Sequence, residues 1–264
     1  MGNLTLGIIG AGHIGKKVEI LGHALGMKVL VNDPPRERRE GSSGFTSISR
    51  VLEESDILTL HVPLNKTGQD KSWHLLDRDA LSLMKPGAWL INSARGEVVD
   101  GAGLIDVLRS RKSLNLILDV WENEPSINIE LLCSASLATP HIAGYSWEGK
   151  ANASAAIVRE LSLAFDLPYK DWYPENIPDP AMKTCTIQCN DKPTEEIIFE
   201  AISHTYKIRN DDRNLRTFPE NFASLRDGYS FRREFSAYQI SHDNICTDAM
   251  KLLLRLGFFV NPAV

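Results

Sequence analysis

No run of apolar residues in this 264-residue chain approaches the roughly 18 that a membrane-spanning helix needs, so a membrane is not expected as a partner. The opening Met1-Gly2-Asn3-Leu4 lacks the basic and apolar regions of a secretory signal, and the expected location is cytoplasmic. An excess of positive charge is also missing: the formal net charge is −5. A nucleic-acid backbone would be repelled, so nucleic acid is not expected as a partner either. Cysteine is scarce, with only Cys133, Cys185, Cys189 and Cys246. Cys185 and Cys189 have neither the second cysteine pair nor the histidines of a zinc site, and no metal is expected. Thiols this sparse read as buried or incidental in a reducing compartment.

What is present is the balance of a folded protein, 43% hydrophobic and 24% charged residues, in a chain long enough for two domains. Up to about residue 142, short aliphatic runs alternate with helical patterns. The runs at 6–9, 28–32, 57–61, 88–92, 114–120 and 136–139 describe a parallel sheet covered on both faces, a doubly wound α/β fold. A helix is expected over 146–165, with Trp147, Ala151, Ile157, Val158, Leu161 and Phe165 on one apolar face. Residues 167–180 carry four prolines and read as a linker. Beyond it a smaller α/β domain is expected. Its strands would lie near 184–189 and 235–240, its helices at 194–206, 219–229 and 244–256, and a short strand would end it. The division is therefore 1–166, linker 167–181, and 182–264.

Leu6-Gly-Ile-Ile-Gly10-Ala-Gly12-His-Ile-Gly15 places G-x-G-x-x-G where the first strand gives way to a helix. Gly10 permits a tight turn, Gly12 lets the backbone approach a pyrophosphate, and Gly15 lets helix and strand pack closely. The amides of His13 and Ile14 would then face the phosphates from the positive end of the helix. The second run ends in Asp33, the usual distance from the glycines. A carboxylate there accepts hydrogen bonds from the adenine ribose and repels a 2′-phosphate. The cofactor expected is NAD. Arg36 is the one residue nearby that would favour NADP, and Asp33 outweighs it.

Ligands of open α/β sheets bind outside the carboxyl ends of the strands, and three later runs end there in reactive side chains. Arg95 follows one, Asp119, Glu122 and Glu124 follow the next, and His141 follows the third. An arginine fork can bind a substrate carboxylate, an imidazole can take a hydroxyl proton as hydride leaves, and a carboxylate can orient that imidazole. This is the equipment for oxidising a hydroxy acid.

Taken together, Gly10-x-Gly12-x-x-Gly15, Asn92-Ser-Ala-Arg95-Gly96, Leu118-Asp-Val-Trp-Glu122-Asn-Glu124-Pro125 and Thr139-Pro-His141-Ile-Ala-Gly144-Tyr145 resemble the D-isomer-specific 2-hydroxyacid dehydrogenases. The fold implied is a Rossmann-type doubly wound parallel sheet with a smaller C-terminal α/β dimerisation domain. Further likeness lies in Tyr145-Ser-Trp-Glu-Gly-Lys150, Asp211-Asp-Arg-Asn-Leu-Arg216, Phe222-Ala-Ser-Leu-Arg226 and Arg232-Arg-Glu-Phe235. These point to the branch that oxidises 4-phospho-D-erythronate to 2-oxo-3-hydroxy-4-phosphobutanoate in pyridoxal phosphate biosynthesis. The resemblance implies that Arg95, Glu124 and His141 are catalytic, His141 as acid/base and Glu124 rather than Glu122 as its acidic partner. It implies cofactor contacts at His13, Ile14, Asp33, Val62, Ser93, Ala94, Arg95, Asp119 and Gly144, besides Gly10, Gly12 and Gly15, and a substrate contact at Tyr145. Val62 rests only on Leu60-His-Val-Pro-Leu64 and would act through its backbone. A small phosphorylated hydroxy acid and a second copy of the chain, as homodimer, are the implied partners.

Members of the family begin with a substrate-binding half before the glycine motif, and here five residues precede Leu6. The expectation is a chain that binds NAD and turns over poorly, with part of the 146–165 apolar face uncovered. Two other readings stay open: an NAD-binding, dimerising fragment without turnover, and a dehydrogenase of another D-2-hydroxy acid. The stretch from Tyr206 to Arg233 holds six arginines and four acids, usually a solvated face; Arg232 or Arg233 is a candidate for holding a substrate phosphate.

Overall fold

Six aliphatic runs become six parallel strands in a computed structural model that describes residues 2–110, 113–189, 192–242 and 247–261. In chain order the elements begin β1 (Thr5–Ile9), α1 (His13–Ala24), β2 (Lys28–Asn32), α2 (Pro34–Glu40), α3 (Ile48–Glu54) and β3 (Ile57–Leu60). They continue through α4 (Arg78–Leu83), β4 (Trp89–Asn92), α5 (Gly101–Arg109), β5 (Asn115–Leu118), α6 (Ile129–Ser134) and β6 (Leu137–Ala138). After α7 (Trp147–Ala164) come β7 (Thr184–Ile187), α8 (Thr194–Thr205), α9 (Ile208–Thr217) and α10 (Phe222–Asp227). The chain closes with β8 (Gln239–His242), α11 (Thr247–Leu256) and β9 (Phe259–Val260). Cys246 and the first residues of the helix expected from 244 lie outside the described residues. No described helix is long and apolar enough to cross a membrane.

Two compact units emerge, residues 1–143 with 208–228, and residues 144–207 with 229–264. In the first, the sheet order is β2-β1-β3-β4-β5-β6, every pair parallel. Strand β1 and most of β3 are buried on both faces, which is why they read as unbroken aliphatic runs, while β4 and β5 alternate buried with partly exposed residues. The registers pair Ile9 with Asn32 and Leu60, Leu60 with Asn92, Asn92 with Leu118, and Leu118 with Ala138. The carboxyl ends therefore form one straight row. The next residues along each strand, Gly10, Asp33, His61, Ser93, Asp119 and Thr139, open a common edge, and the helices connecting them cover the faces.

The first unit's far edge is finished by chain from much later in the sequence. Asp212 of α9 accepts the Ala138 amide of edge strand β6 at 2.7 Å. Arg216 donates to the carbonyls of Leu132 and Ala135, both at 2.7 Å, at the C-terminal end of α6, where helix carbonyls lack partners. Leu215 and Phe222 are buried in the same core. A strand edge that would otherwise expose unpaired amides is thereby covered.

The grouping differs from the expected division at residue 166. Residues 208–228 join the first unit because Asp212, Arg216, Leu215 and Phe222 all bond or pack there. Helix α7 groups with the second unit. Helix α9 was not expected at all, and the expected strand from 235 is a short 3₁₀ turn at Phe235–Ala237 before β8.

The second unit is a three-stranded parallel sheet, β7-β8-β9, with a core of Cys185, Ile187, Ile197, Ala201, Ile240 and Leu253 and a stacked Phe235–Phe258 pair at 4.6 Å. Cys185 and Cys189 are buried and outside any disulfide, and Cys133 is exposed. Helix α7 is capped by the Ser146 hydroxyl on the Gly149 amide and buries Ala151, while Ile157, Leu161, Leu163 and Phe165 stay exposed. The proline-rich stretch after it holds no helix or strand.

Candidate active site

The turn after β1 depends on glycine. Gly10 has φ +90°, and a Cβ there would lie 2.7 Å from the His61 carbonyl. A Cβ on Gly15 would meet the Gly10 carbonyl oxygen at 2.1 Å, so strand and helix touch at this point. Gly12, by contrast, faces open space as the N-cap of α1, and no side chain caps that helix. The exposed first-turn residues His13 and Ile14 stand at an uncapped positive helix end, which suits an anion.

Beside this turn lies a cavity of about 440 Å³ lined by Gly10, Gly12, Asp33, Arg36, His61 and Val62, among others. Asp33 is 9% exposed; one carboxylate oxygen accepts the Ala11 amide at 2.7 Å and the other the Arg36 amide at 2.9 Å. Each oxygen keeps a lone pair, so ribose hydroxyls can still be accepted. Arg36 is occupied: Nε and Nη2 grip Glu40 at 2.9 and 2.6 Å, and Nη1 donates to the Ala11 carbonyl. Burial pushes the His61 imidazole below its ordinary range, and its Nε2 lies 3.1 Å from the Thr59 hydroxyl. A cavity with an open glycine, a free helix start and a carboxylate at the end of β2 fits a dinucleotide.

At the other end of the row, the turn carrying Arg95 is built by Asn92. The buried amide of Asn92 donates to the Arg95 carbonyl at 2.9 Å and accepts the Ala94 amide at 3.1 Å. Arg95 is exposed and makes no ion pair among the described residues; its guanidinium reaches only its neighbour's carbonyl, that of Ala94, at 2.6 Å. Ser93 is half-buried between them. The next residue must be glycine for a steric reason: a Cβ on Gly96 would sit 2.0 Å from the Trp121 carbonyl carbon. The arginine turn therefore rests directly on the loop that carries Glu124.

Asp119 organises the histidine loop. It is 5% exposed, and its carboxylate accepts the Thr139 hydroxyl at 2.6 Å and the amides of Ile142 at 2.8 Å and Ala143 at 3.0 Å. The Asp119 carbonyl takes the His141 amide at 2.7 Å. His141 itself sits at φ +58°, a conformation that this network holds in place. Its Nδ1 lies 2.7 Å from Glu124 Oε2, and Glu124 Oε1 accepts the Trp121 amide at 2.9 Å. A carboxylate can only accept, so Nδ1 carries the proton and Nε2 is left with a lone pair. That contact holds the ring in one tautomer.

Glu122 is engaged elsewhere, accepting from His74 Nε2 at 2.7 Å and from the Gly101 amide at 2.9 Å. His74, Asp100 and Glu122 bring ligand-type atoms within 4.8 Å of one another. Asp100 also caps α5 through the Ala102 amide. These bonds brace the 96–101 turn against the 121–124 loop.

The first unit thus brings together Gly10, Gly12, His13, Ile14, Gly15, Asp33, Val62, Ser93, Ala94, Arg95, Asp119, Glu124 and His141. Gly144 and Tyr145 belong to the second unit. There Tyr145 meets Tyr229 and Phe231 edge-on at 6.1 and 5.7 Å, with Lys150 4.3 Å above its ring. Arg232 lies over Tyr206 at 4.6 Å, and Arg233 pairs with Glu148 at 2.7 Å, so Arg233 is committed to a structural bond. Sequence reading missed His74 and Arg226. The second stands 3.9 Å from Glu124, and its only signal was a place in the Phe222–Arg226 likeness.

Comparison with known proteins agrees with this geometry. The family model described as the D-isomer specific 2-hydroxyacid dehydrogenase NAD-binding domain matches residues 1–143, and the chain belongs to that family of NAD-dependent dehydrogenases. A second model, described only as a domain of unknown function, matches residues 177–257. Within the family, the chain is similar to erythronate-4-phosphate dehydrogenase. It is 38% identical to that of Proteus mirabilis over 96% of this chain and 68% of the relative, and 40% identical to that of Bacteroides thetaiotaomicron over 90% and 65%. Among solved structures, D-lactate dehydrogenase from Aquifex aeolicus, complexed with NAD and lactic acid, aligns with a TM-score of 0.53 at 34% identity. That match covers 64% of this chain and 55% of the other.

Proposed function

We propose that this protein oxidises the C2 hydroxyl of 4-phospho-D-erythronate to the 2-oxo acid, serving pyridoxal phosphate biosynthesis in the cytoplasm. The observation that carries the chemistry is the 2.7 Å bond from His141 Nδ1 to Glu124, beside the arginine turn and on the same sheet edge as the dinucleotide cavity. The relatives named for erythronate 4-phosphate support the substrate.

The glycine turn, the start of α1 and Asp33 would hold NAD⁺, which supplies a hydride acceptor. Arg95, exposed and unpaired with any acid among the described residues, binds the substrate carboxylate as a two-pronged donor. His141 Nε2 takes the hydroxyl proton as C2 gives up its hydrogen with the electron pair and the C–O bond becomes a carbonyl. The imidazolium so formed is stabilised by Glu124, which also fixes the ring's orientation. Asp119 sets the loop from which His141 projects. The family resemblance implies a substrate contact at Tyr145.

The second unit is inferred to make a homodimer. Phe199, Leu254 and Phe259 are each more than half exposed on it, a supply of apolar surface that suits association. Incubating the protein with NAD⁺ and 4-phosphoerythronate, and following NADH absorbance, tests the function. Turnover of D-lactate or 3-phosphoglycerate in preference would assign the same site to another hydroxy acid.

A further inference from the structure

Helix α10 brings a guanidinium to the His141–Glu124 pair. It is anchored through Phe222, 1% exposed in the core of the first unit, and through α9, which is bonded along β6 and the end of α6. Arg226 lies one helical turn beyond Phe222, on the same face. Its Nη1 stands 3.9 Å from Glu124 Oε2, the oxygen that faces His141 Nδ1 at 2.7 Å. That separation is too long for a hydrogen bond but well within reach of a direct charge interaction. The Arg226 side chain is 37% exposed, so solvent weakens the interaction without removing it.

A carboxylate that faces an imidazole alone pulls strongly on the ring proton. One that also faces a guanidinium has part of its charge neutralised, and its pull on the ring is reduced. Glu124 Oε1 is pinned by the Trp121 amide, and Arg226 acts on the oxygen that is not. We propose that Arg226 is a positioning residue for the dehydrogenase reaction, acting through Glu124 by moderating the strength of Oε2 as an acceptor for the His141 Nδ1–H. The proposal rests on the roles given above to His141 and Glu124. It also gives the 208–228 segment a part in the chemistry, since that segment lies beyond the NAD-binding family match.

The test uses the 264-residue protein with Arg226→Gln and Arg226→Met, which remove the charge, and Arg226→Lys, which keeps it. The first readout is the His141 ring N–H proton by nitrogen-edited NMR, which reports the bond to Glu124 without turnover. The uncharged variants should move this resonance downfield, and Arg226→Lys should leave it near the wild-type position. The second readout is the rate of 2-hydroxy acid oxidation: kcat should fall about tenfold in the uncharged variants with KM for NAD⁺ unchanged, and lysine should restore most of it. An unmoved resonance in a folded uncharged variant overturns the proposal. So does a shift that lysine fails to reverse, because charge would then not be its cause. If the resonance responds as expected while no hydroxy acid is oxidised even by the wild type, Arg226 keeps its place beside Glu124 and the assigned reaction fails instead.

Discussion

Replacing Asp119 by Asn separates a structural tie from a cofactor contact. The wild-type carboxylate takes three hydrogen bonds at 2.6, 2.8 and 3.0 Å while 5% exposed. An amide of the same shape keeps one accepting oxygen and turns an NH₂ group toward a partner that is itself a donor. If the oxygen stays on Thr139 and Ile142, the Ala143 amide meets that NH₂ group, leaving a buried side-chain donor facing the amide of an exposed residue. Losing a carboxylate hydrogen bond costs about 1.5–3 kcal/mol, and an unsatisfied buried donor about 1–3 kcal/mol more. The low end of that combined range, near 3 kcal/mol because Ala143 is exposed, at about 2–4 °C per kcal/mol for a unit of this size, predicts a Tm lower by about 6–12 °C. Differential scanning calorimetry without any cofactor measures it directly. A shift below about 2 °C in the NAD-free protein would refute the reasoning, since the loop bearing His141 would then not depend on Asp119.

His141→Asn should slow hydride transfer by about 10²–10⁴-fold in single-turnover experiments with little change in substrate binding; retention of more than half the rate excludes the residue as base. Asp33→Ser should narrow the preference for NAD over NADP, because Arg36 is held by Glu40 and only the carboxylate is removed. Calorimetric titration of both cofactors decides it, and an unchanged ratio counts against Asp33 as the discriminating residue. Hydrogen bonds from Lys85 and from the Thr5 amide hold the Asp56 carboxyl below its usual range. The stability from Asp56 is therefore present above about pH 4 and lost as pH falls through its lower folded value. Urea midpoints of wild type and Asp56→Asn should converge on acidification from about pH 5 to 3, and a gap that widens would contradict the sign. For the homodimer proposed above, Phe259→Asp should lower the light-scattering mass toward that of a monomer; an unaltered mass counts against a contact through Phe259.

The strands of the first unit were legible nearly to the residue because parallel strands buried on both faces need continuous aliphatic side chains. Helix α9 was not legible. Ile208-Arg-Asn-Asp-Asp-Arg-Asn-Leu-Arg-Thr217 offers two aliphatic residues in ten and reads as a solvated face, yet Leu215 is fully buried and Asp212 and Arg216 bond to backbone 74 to 84 residues away. Such partners belong to the folded chain and leave no local pattern. The same holds in the site. Arg95, Glu124 and His141 could be picked out by residue type and by their places after strands. That Asp119 ties the histidine loop, and that Gly96 must be glycine to pass the Trp121 backbone, depends on distances across 20 or more residues. The aromatic run at 235–238 was read as strand because its side chains are core residues; the backbone there turns as 3₁₀ before β8 begins.

The path of residues 208–228 has a consequence for how such a protein can be divided or recombined. The chain changes units three times, after residues 143, 207 and 228. No single cut yields two self-contained pieces, and the start of the second family match at residue 177 is not a point of physical separation. Fusing residues 1–143 alone to a foreign partner would leave the Ala138 amide without Asp212, the end of α6 without Arg216, and a core missing Leu215 and Phe222. A chimera that keeps the first unit intact has to carry residues 208–228 with it, as a distant but integral part of the nucleotide-binding half.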